Sequence, residues 1–418
     1  MKKKLKNTNQ IKDDKRQNQQ HKTQTGLEDY SNWSIKSILG LLPMLIFGLI
    51  ELIVIKYFNI DCQFTYNLSL ETYLNIFVPV PKLAICLSLT VFSYCLFYPL
   101  KRLYLKGYCN YNLLMVLRVI LSIGILSAPV FLLKIEINPF LNSFVGLVPI
   151  VTLLKSHSYL EVMFEDLRSK TTKKEKAVLR QELIKSQSIG DFVHFSFRPN
   201  LVYENKCVLL KKINYRRIFV YLIFSTILNF VMLFVVTNMF NRLKVPDHSL
   251  KGRIQTAICL GPSNGVFWIT QFMLVYHCFL TLLADLTRYQ DRNFYGNWIN
   301  CTSISDFWKK WNTLVNVYSV KHIYKPLRKT GKVSVIVAGL TVFATSGLLH
   351  EYIIWATFGV FDYMWLLVFL TQPILIFIEK LLSPFNLKIW IQAIKVVNLM
   401  ILMPIAETIA QKYIFKNI

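Results

Sequence analysis

The sequence predicts an all-α, polytopic membrane protein with about nine transmembrane helices and amphipathic helices in its cytosolic loops. Three observations carry that prediction. Of the 418 residues, 54% are hydrophobic and 17% charged, against about 45–50% and about 25% in soluble domains. The mean hydropathy is +0.40. The apolar residues are also gathered into long blocks separated by basic loops. Secreted disulfide scaffolds, collagen-like fibres and wholly disordered chains are excluded by the same figures.

A helix crossing the hydrocarbon of a bilayer needs about 20 mostly apolar residues. Such blocks run over 37–58, 79–99, 113–133, 138–154, 218–240, 265–286, 333–356, 361–382 and 390–410. The fourth is short, and with the third it reads equally as one bent hairpin. Lys+Arg 48 against Asp+Glu 23 gives a net charge of +25. Most of those cations fall in the arm 1–36, the loop after the second span, the loops 155–217 and 287–332, and the 380–388 connection. The opposite side carries only Lys134, Arg242, Lys244, Lys251, Arg253, Lys412 and Lys416. Lys56, Lys82, Arg118 and Lys395 lie within spans, mostly near ends where long side chains snorkel. Basic loops stay cytoplasmic, so the N-terminus is expected in the cytosol and the C-terminus in the lumen. Nucleic acid is not an expected partner. Anionic lipid heads and phosphorylated cofactors suit such a face better.

Residues 1–36 are rich in Lys, Asn and Gln and lack an apolar signal core, so they are expected as a disordered cytosolic arm rather than a cleaved leader. The alternative is an arm that orders at a subunit interface. Residues 37–418 are expected as one transmembrane domain. The eight cysteines include no CxxC pair. Only Cys62 and Cys259 fall in luminal loops, where a disulfide is allowed; free thiols are the plain alternative. The sequon Asn67-Leu-Ser69 is luminal and open to glycosylation, whereas Asn300-Cys-Thr302 is cytosolic. The sequence has no zinc spacing, Walker loop, GxSxG or dinucleotide fingerprint, and no metal is expected.

In the first long loop, Thr171 to Ser186 alternates Lys/Arg with Glu and apolar residues as an exposed helix does. The aromatic stretch Asp191-Phe-Val-His-Phe-Ser-Phe-Arg-Pro-Asn-Leu-Val-Tyr-Glu204 contains a proline and reads as a loop lying at the interface. In the second, Arg292-Asn-Phe-Tyr-Gly-Asn-Trp-Ile-Asn300 concentrates aromatics and amides. Ser305 or Asp306 then caps a helix start. Phe307, Trp308, Trp311, Leu314, Val315 and Tyr318 share one face of it, opposite Lys309 and Lys310, and Pro326 ends the run. That is an amphipathic helix lying in the membrane plane. A plain interfacial anchor explains the tryptophans but not the amides beside them.

The seventh span contains Ser346-Gly-Leu-Leu-His350-Glu351-Tyr352. Ionisable groups inside a membrane are functional candidates by default. Adjacent helical residues point about 100° apart. His350 is therefore expected to face a substrate, and Glu351 a neighbouring helix with a basic or amide partner.

These residues resemble the signatures of the membrane-bound O-acyltransferase superfamily. Phe294-Tyr-Gly-Asn-Trp-Ile-Asn300, Phe307-Trp-Lys-Lys-Trp-Asn312 and His350-Glu-Tyr352 are similar to the FYxDWWN motif, the downstream WN and the intramembrane HEY of its acyl-CoA:diacylglycerol and acyl-CoA:sterol branch. Arg198-Pro-Asn-Leu-Val-Tyr-Glu204 is similar to the branch's APTLxYE segment. Lys321-His-Ile-Tyr-Lys-Pro326 and Gln372 resemble the diacylglycerol enzymes more than the sterol enzymes. Departures stand at Asn297, Ile299, Asn316 and Met403, where the family has an acid, a tryptophan, a histidine and a glutamine.

The resemblance implies transfer of a fatty acyl group from acyl-CoA, as co-substrate with no permanently bound cofactor, to the hydroxyl of diacylglycerol, or alternatively of a sterol. It implies His350 as general base, Asn312 as donor to the oxyanion or as positioning group, and Glu351 as brace. Phe294, Tyr295, Asn297, Trp298, Asn300 and Trp311 would receive acyl-CoA, and Gln372 would line the entry of the acceptor. It also implies an endoplasmic reticulum membrane location and a homo-oligomer, dimer or tetramer. A non-enzymatic lipid-binding or transport protein is the alternative class. It would share the polar pair within the bundle but would not need the amide–tryptophan cluster.

Overall fold

The structure is a computed structural model that describes residues 80–131, 139–205, 207–243, 265–301, 303–329, 331–359, 361 and 363–382, with a few isolated positions. The arm, the first and ninth predicted spans, Cys62, Cys259, Asn67 and Met403 lie outside the described residues. Thirteen helices account for the rest. The second span is α1 (Val80–Cys95) followed by α2 (Phe97–Lys106). They break at Leu96 because Pro99 has no N–H to offer the carbonyl of Cys95. Gly107, in the left-handed conformation, closes α2 by donating to Leu103 and Tyr104. The third span is α3 (Tyr111–Ser127), whose first turn is capped by Asn110 Oδ1 accepting from Leu113 N at 2.8 Å.

The fourth predicted span is only the start of α4 (Pro139–Arg168). The helix runs well past 154, so residues expected in the loop stand on a helix. The basic stretch forms α5 (Lys173–Ser186) with a Thr172–Glu175 capping box. The aromatic stretch corrects the expectation of a loop: Ile189–Phe197 is a helix, α6, capped by a second box between Ser188 and Asp191. Only from Arg198 onward is the chain irregular, and it is buried rather than spread on a surface.

α7 (Tyr215–Leu243) and α8 (Gly265–Leu286) are the fifth and sixth spans. α8 contains a π-helical turn, Met273–Phe279. In the 287–332 segment the expected single amphipathic helix is two. α9 (Ile304–Trp311) is capped by Ser303, not Ser305 or Asp306, and α10 (Thr313–Ser319) restarts on Asn312. Pro326 does not end the run. A π-helical turn, Val320–Tyr324, leads into α11 (Lys325–Lys329), which contains that proline. α12 (Val335–Phe358) and α13 (Met364–Leu382) complete the described bundle. Five segments among the described residues are long and apolar enough to cross a membrane: Ala84–Lys106, Tyr215–Met232, Gly265–Leu286, Val335–Thr357 and Met364–Leu381. The expectation of a polytopic helical membrane protein therefore holds.

α12 is the centre of the packing, lying against α13 and α4. Two glycines set those approaches. A Cβ on Gly347 would stand 2.9 Å from Leu366 Cα, and one on Gly146 would stand 3.1 Å from Ile353 Cα. Small residues at helix contacts are how membrane helices bring their backbones close.

Several buried basic groups inside this half of the bundle are paired. Lys101, expected in a loop, is buried on α2, where Nζ donates to Tyr159 O at 3.1 Å and lies 3.8 Å from that ring's centroid. Arg118 pairs with Glu161 at 2.9 Å. Lys155 Nζ donates to the carbonyls of Phe195 and Arg198 at 2.8 and 2.7 Å, a cation on the C-terminal end of α6 where the helix dipole favours it.

Beyond the fourth span, α4 meets the turn after α10 through two histidines. Ser158 Oγ bridges His322 Nε2 at 2.9 Å and the backbone N–H of Tyr203 at 2.8 Å. Tyr318 OH contacts His157 Nδ1 at 3.0 Å, and the two imidazoles stand edge to face at 5.5 Å. Burial, with Arg118 beside one ring and Lys321 beside the other, pushes both down to about 4, against the opposing pull of Glu161. A histidine held neutral contributes stability that is complete above its unfolded value near 6.5 and is lost as pH falls toward 4. The thermal midpoint of the purified protein is therefore expected to fall between pH 7 and pH 5. The fall should be smaller in His322→Gln, because one of the two linked protons is gone. Equal falls in both proteins would show that this pair does not carry the linkage.

Candidate active site

His350 and Glu351 do different work from adjacent positions on α12. Glu351 is 2% exposed and turns to the start of α13. There its Oε2 accepts from Tyr363 N at 3.1 Å, and its Oε1 accepts from Trp365 N at 2.7 Å and Leu366 N at 3.2 Å. The first N–H groups of a helix have no partner within it, and a carboxylate is the best acceptor for them. The expected basic or amide partner is thus replaced by a helix N-terminus. That grip holds Trp365 where its ring stacks on His350 at 5.7 Å, with Phe369, one turn on, at 4.5 Å.

The imidazole has one protein hydrogen bond: His350 Nδ1 lies 2.7 Å from Ser346 O. A carbonyl oxygen only accepts, so Nδ1 carries the proton and a neutral ring presents its lone pair on Nε2. Among the described residues that nitrogen has no hydrogen-bond partner, and the residue is half-buried. A base with its tautomer set and its basic nitrogen open is what the geometry offers.

From Phe369 an aromatic path runs toward the motif segments 307–312 and 294–300. Trp308 on α9 lies 5.6 Å from Phe369 and donates from Nε1 to Gln372 Oε1 at 3.3 Å. Gln372, 2% exposed, thus ties α13 to α9. Phe307 follows Trp308 at 5.2 Å, and Trp311 stacks on Phe307 at 5.6 Å. Trp311 then meets Phe272 and Trp298 at 4.8 and 4.7 Å. The two motif segments also pair through their backbones: Gly296 N donates to Lys310 O at 2.8 Å, and Thr313 N to Phe294 O at 3.0 Å.

The π turn of α8 reaches both segments with neighbouring side chains. Asn312 Oδ1 accepts from Val315 N at 3.1 Å, which makes this residue the cap of α10 and assigns its amide orientation. Its Nδ2 therefore faces Tyr276 and donates to that hydroxyl at 2.6 Å. His277 Nδ1 meets Tyr295 OH at 2.7 Å. π turns inside α-helices recur at functional sites, and this one fixes one residue of each motif.

The expected residues thus form two groups. His350, Glu351 and Gln372 belong to α12 and α13. Trp311, Trp298 and Tyr295 surround Phe272, Asn312 joins them through Tyr276, and Phe294 packs beside them against Ala284 and Tyr289. Trp308 and Phe369 join the groups; no hydrogen bond joins His350 to Asn312. Asn297 is exposed and accepts from Asn300 N at 3.3 Å, so these two amides brace their own turn.

Sequence reasoning missed Tyr276, His277 and a buried ion network. Asp285, at the end of α8 and with its side chain fully buried, receives Arg217 Nε at 2.7 Å and Arg292 at 2.6 Å. A short antiparallel contact, Leu209 with Tyr289, lies beside it. A histidine and an acid within one apolar span were the available signals.

A family model described as "MBOAT, membrane-bound O-acyltransferase family" matches residues 105–408. The chain is 28% identical over 286 residues to "Diacylglycerol O-acyltransferase 1-1" of Oryza sativa subsp. japonica, covering 65% of this chain and 52% of that protein. It is 27% identical over 312 residues to "Diacylglycerol O-acyltransferase 1" of Arabidopsis thaliana, covering 72% and 58%. Against "Diacylglycerol O-acyltransferase 1" of Homo sapiens it is 30% identical over 170 residues, 39% of this chain and 35% of that one. The chain spans about half the length of the first two of these curated relatives.

Glu351→Ala leaves three buried N–H groups without their acceptor, and an orphaned buried donor costs about 1–3 kcal/mol. Thermal unfolding in detergent is expected to show a large loss for this variant and a smaller one for Glu351→Gln, which keeps one acceptor oxygen. Equal midpoints for wild type and Glu351→Ala would refute the capping role.

Proposed function

The chain belongs to the membrane-bound O-acyltransferase family, and on that premise we propose that it transfers a fatty acyl group from acyl-CoA to the free hydroxyl of diacylglycerol, giving triacylglycerol. The observation that carries the reading is the imidazole of His350, with Nδ1–H committed to Ser346 and Nε2 open among aromatic rings. The names of the relatives support the acceptor, as does the Lys321–Pro326 run. A sterol acceptor is the second reading, favoured only by the shared branch signatures.

A lipid hydroxyl is a poor nucleophile while protonated, and a thioester needs no metal because thiolate is already a fair leaving group. His350 Nε2 takes the hydroxyl proton as the oxygen attacks the thioester carbon. The bond to Ser346 O steadies the imidazolium that results. Collapse breaks the C–S bond, and the proton passes from Nε2 to the departing sulfur, which restores the base and releases CoA with its thiol. General-base help of this kind is typically worth about 10²–10⁴-fold.

The oxyanion requires donors. Asn312 has spent Oδ1 on Val315 and one amide hydrogen on Tyr276, and its second amide hydrogen has no acceptor among the described residues. The Tyr276 hydroxyl, already accepting from Asn312, likewise keeps its own hydrogen free for substrate. The segment 294–300, with Trp311 and the basic Arg292, Lys309 and Lys310, receives the CoA portion at the cytosolic mouth, while Gln372 and the apolar helices guide the acceptor. Cationic side chains suit its phosphates. In this reading the protein is one domain over 37–418 with a cytosolic arm, a cytosolic N-terminus and a luminal C-terminus. It sits in the endoplasmic reticulum membrane, carries no permanently bound cofactor and assembles as a homo-oligomer.

Purified protein given labelled oleoyl-CoA with diacylglycerol and a sterol in competition is expected to yield labelled triacylglycerol with release of CoA thiol. His350→Gln, which keeps size and polarity without a base, should abolish turnover at unchanged acyl-CoA binding; retained turnover would refute the base, and labelled sterol ester would move the acceptor to the second reading. Tyr276→Phe removes the acceptor of the Asn312 amide. Its expected effect is a roughly 2–10-fold fall in kcat, the worth of one hydrogen bond, with little change in KM for acyl-CoA.

A further inference from the structure

The site leaves α5 and α6 unexplained. On α5, Leu183 is buried and Leu179 and Ile184 pack on the cluster built from α2, α3, α4 and α6. Arg102 of α2 donates to the carbonyl of Ile184, and Arg180 lies over Tyr104. The helix is therefore fixed to the end of a membrane-crossing segment, Ala84–Lys106. Lys173, Lys174 and Lys176 in its first turn and Lys185 at its end are all exposed, with Arg168 and Lys170 just before it. Of its two acids, Glu175 is committed to the capping box, which leaves Glu182.

α6 presents a different outward face. Phe192 and Phe195 are buried, but Ile189, Val193 and Phe197, spaced four apart and therefore on one side, are 64%, 47% and 62% exposed. An exposed apolar stripe on one helix and exposed lysines on the helix before it match the composition of a helix pair seated at a membrane surface. Apolar side chains enter the acyl boundary, and cations meet the phosphates above it. Neither feature alone names a partner; together they do.

We infer that α5 and α6 form a docking surface for the anionic lipids of the cytosolic leaflet, with Lys173, Lys174, Lys176 and Lys185 on the headgroups and Ile189, Val193 and Phe197 among the upper acyl carbons. The charge complements that leaflet, whose surface potential is negative. The packing of α5 on α2, at the end of the apolar segment Ala84–Lys106, sets the pair at the level of the membrane boundary. The surface is separate from the acyl-transfer site, and the inference does not depend on the acceptor or on His350.

The test uses the full-length protein in phosphatidylcholine vesicles containing trace spin-labelled phosphatidylserine or spin-labelled phosphatidylcholine. The motionally restricted fraction of each reports selection at the protein surface. Wild type is expected to select phosphatidylserine several-fold, and the selection should collapse at high salt, where the screening length shrinks to ~3 Å at 1 M. The variant Lys173→Gln, Lys174→Gln, Lys176→Gln, Lys185→Gln should lose most of it. A variant with as exposed a pair elsewhere, Lys325→Gln with Lys329→Gln, should keep it. No selection in wild type overturns the inference, as does equal loss in both variants, which would show a diffuse field. A smaller particle mass for the α5 variant would show that the face holds a second copy, and this also overturns it. The salt arm needs no variant, so misfolding of either variant leaves the inference exposed to refutation.

Discussion

The bond between one carboxylate and the start of a neighbouring helix organises the centre of this protein. In hydrocarbon no water is present to satisfy a free N–H, so a helix that begins inside the bundle needs an acceptor supplied by protein. Glu351 supplies it to α13 from α12. Because the same helix turn carries His350, fixing α13 also fixes the rings of Trp365 and Phe369 against the imidazole. Gly347 lets the two backbones come that close. The adjacent histidine and glutamate thus face different surroundings, with Glu351 holding the aromatic wall against which the imidazole packs.

The second organising feature is the π turn of α8. Its widened backbone offers Tyr276 to one motif segment and His277 to the other. The two segments are separated by six residues in the chain, and they share Phe272 as a common floor. The Asp285 network closes the same region, with Arg217 of α7 and Arg292, two residues before the first aromatic motif. Breaking a buried charge network by removing one partner is costly, so this triad holds the segment beginning at Arg292 to α7 and α8. The departures at Asn297 and Ile299 are less consequential than they look in one dimension. Asn297 lies on an exposed turn and braces Asn300, and Ile299 is buried in the same apolar cluster as Trp298.

Basic residues serve three separate ends here. Some are structural, such as Lys101 among tyrosine rings and Lys155 on the end of α6. Others stand beside the motif segments, where Arg292 is held by Asp285 and Lys310 by Asp306. A third set, the exposed lysines of α5, has no carboxylate partner among the described residues, and α6 after it carries an exposed apolar stripe. A count of charge by loop merges these populations.

Composition and patterning determined a great deal by themselves: the helical membrane class, most span positions, the family signatures and the candidacy of His350 and Glu351. These are legible because burial in hydrocarbon demands long apolar runs and makes every polar exception conspicuous. The sequence misplaced the helix ends. α4 outran its apolar block, α6 replaced a loop, and one amphipathic run became α9 and α10. Those boundaries depend on caps such as Ser188, Ser303 and Asn312, each of which has rivals nearby in the sequence. What tertiary structure alone decided is which atoms meet. That Glu351 holds a helix start, that Asn312 spends its carbonyl on α10 and its amide on Tyr276, and that the imidazole keeps its proton on Nδ1 all depend on partners distant in the chain or on three-dimensional orientation. Hydrogen-bond directions are properties of that arrangement, and no spacing of letters encodes them.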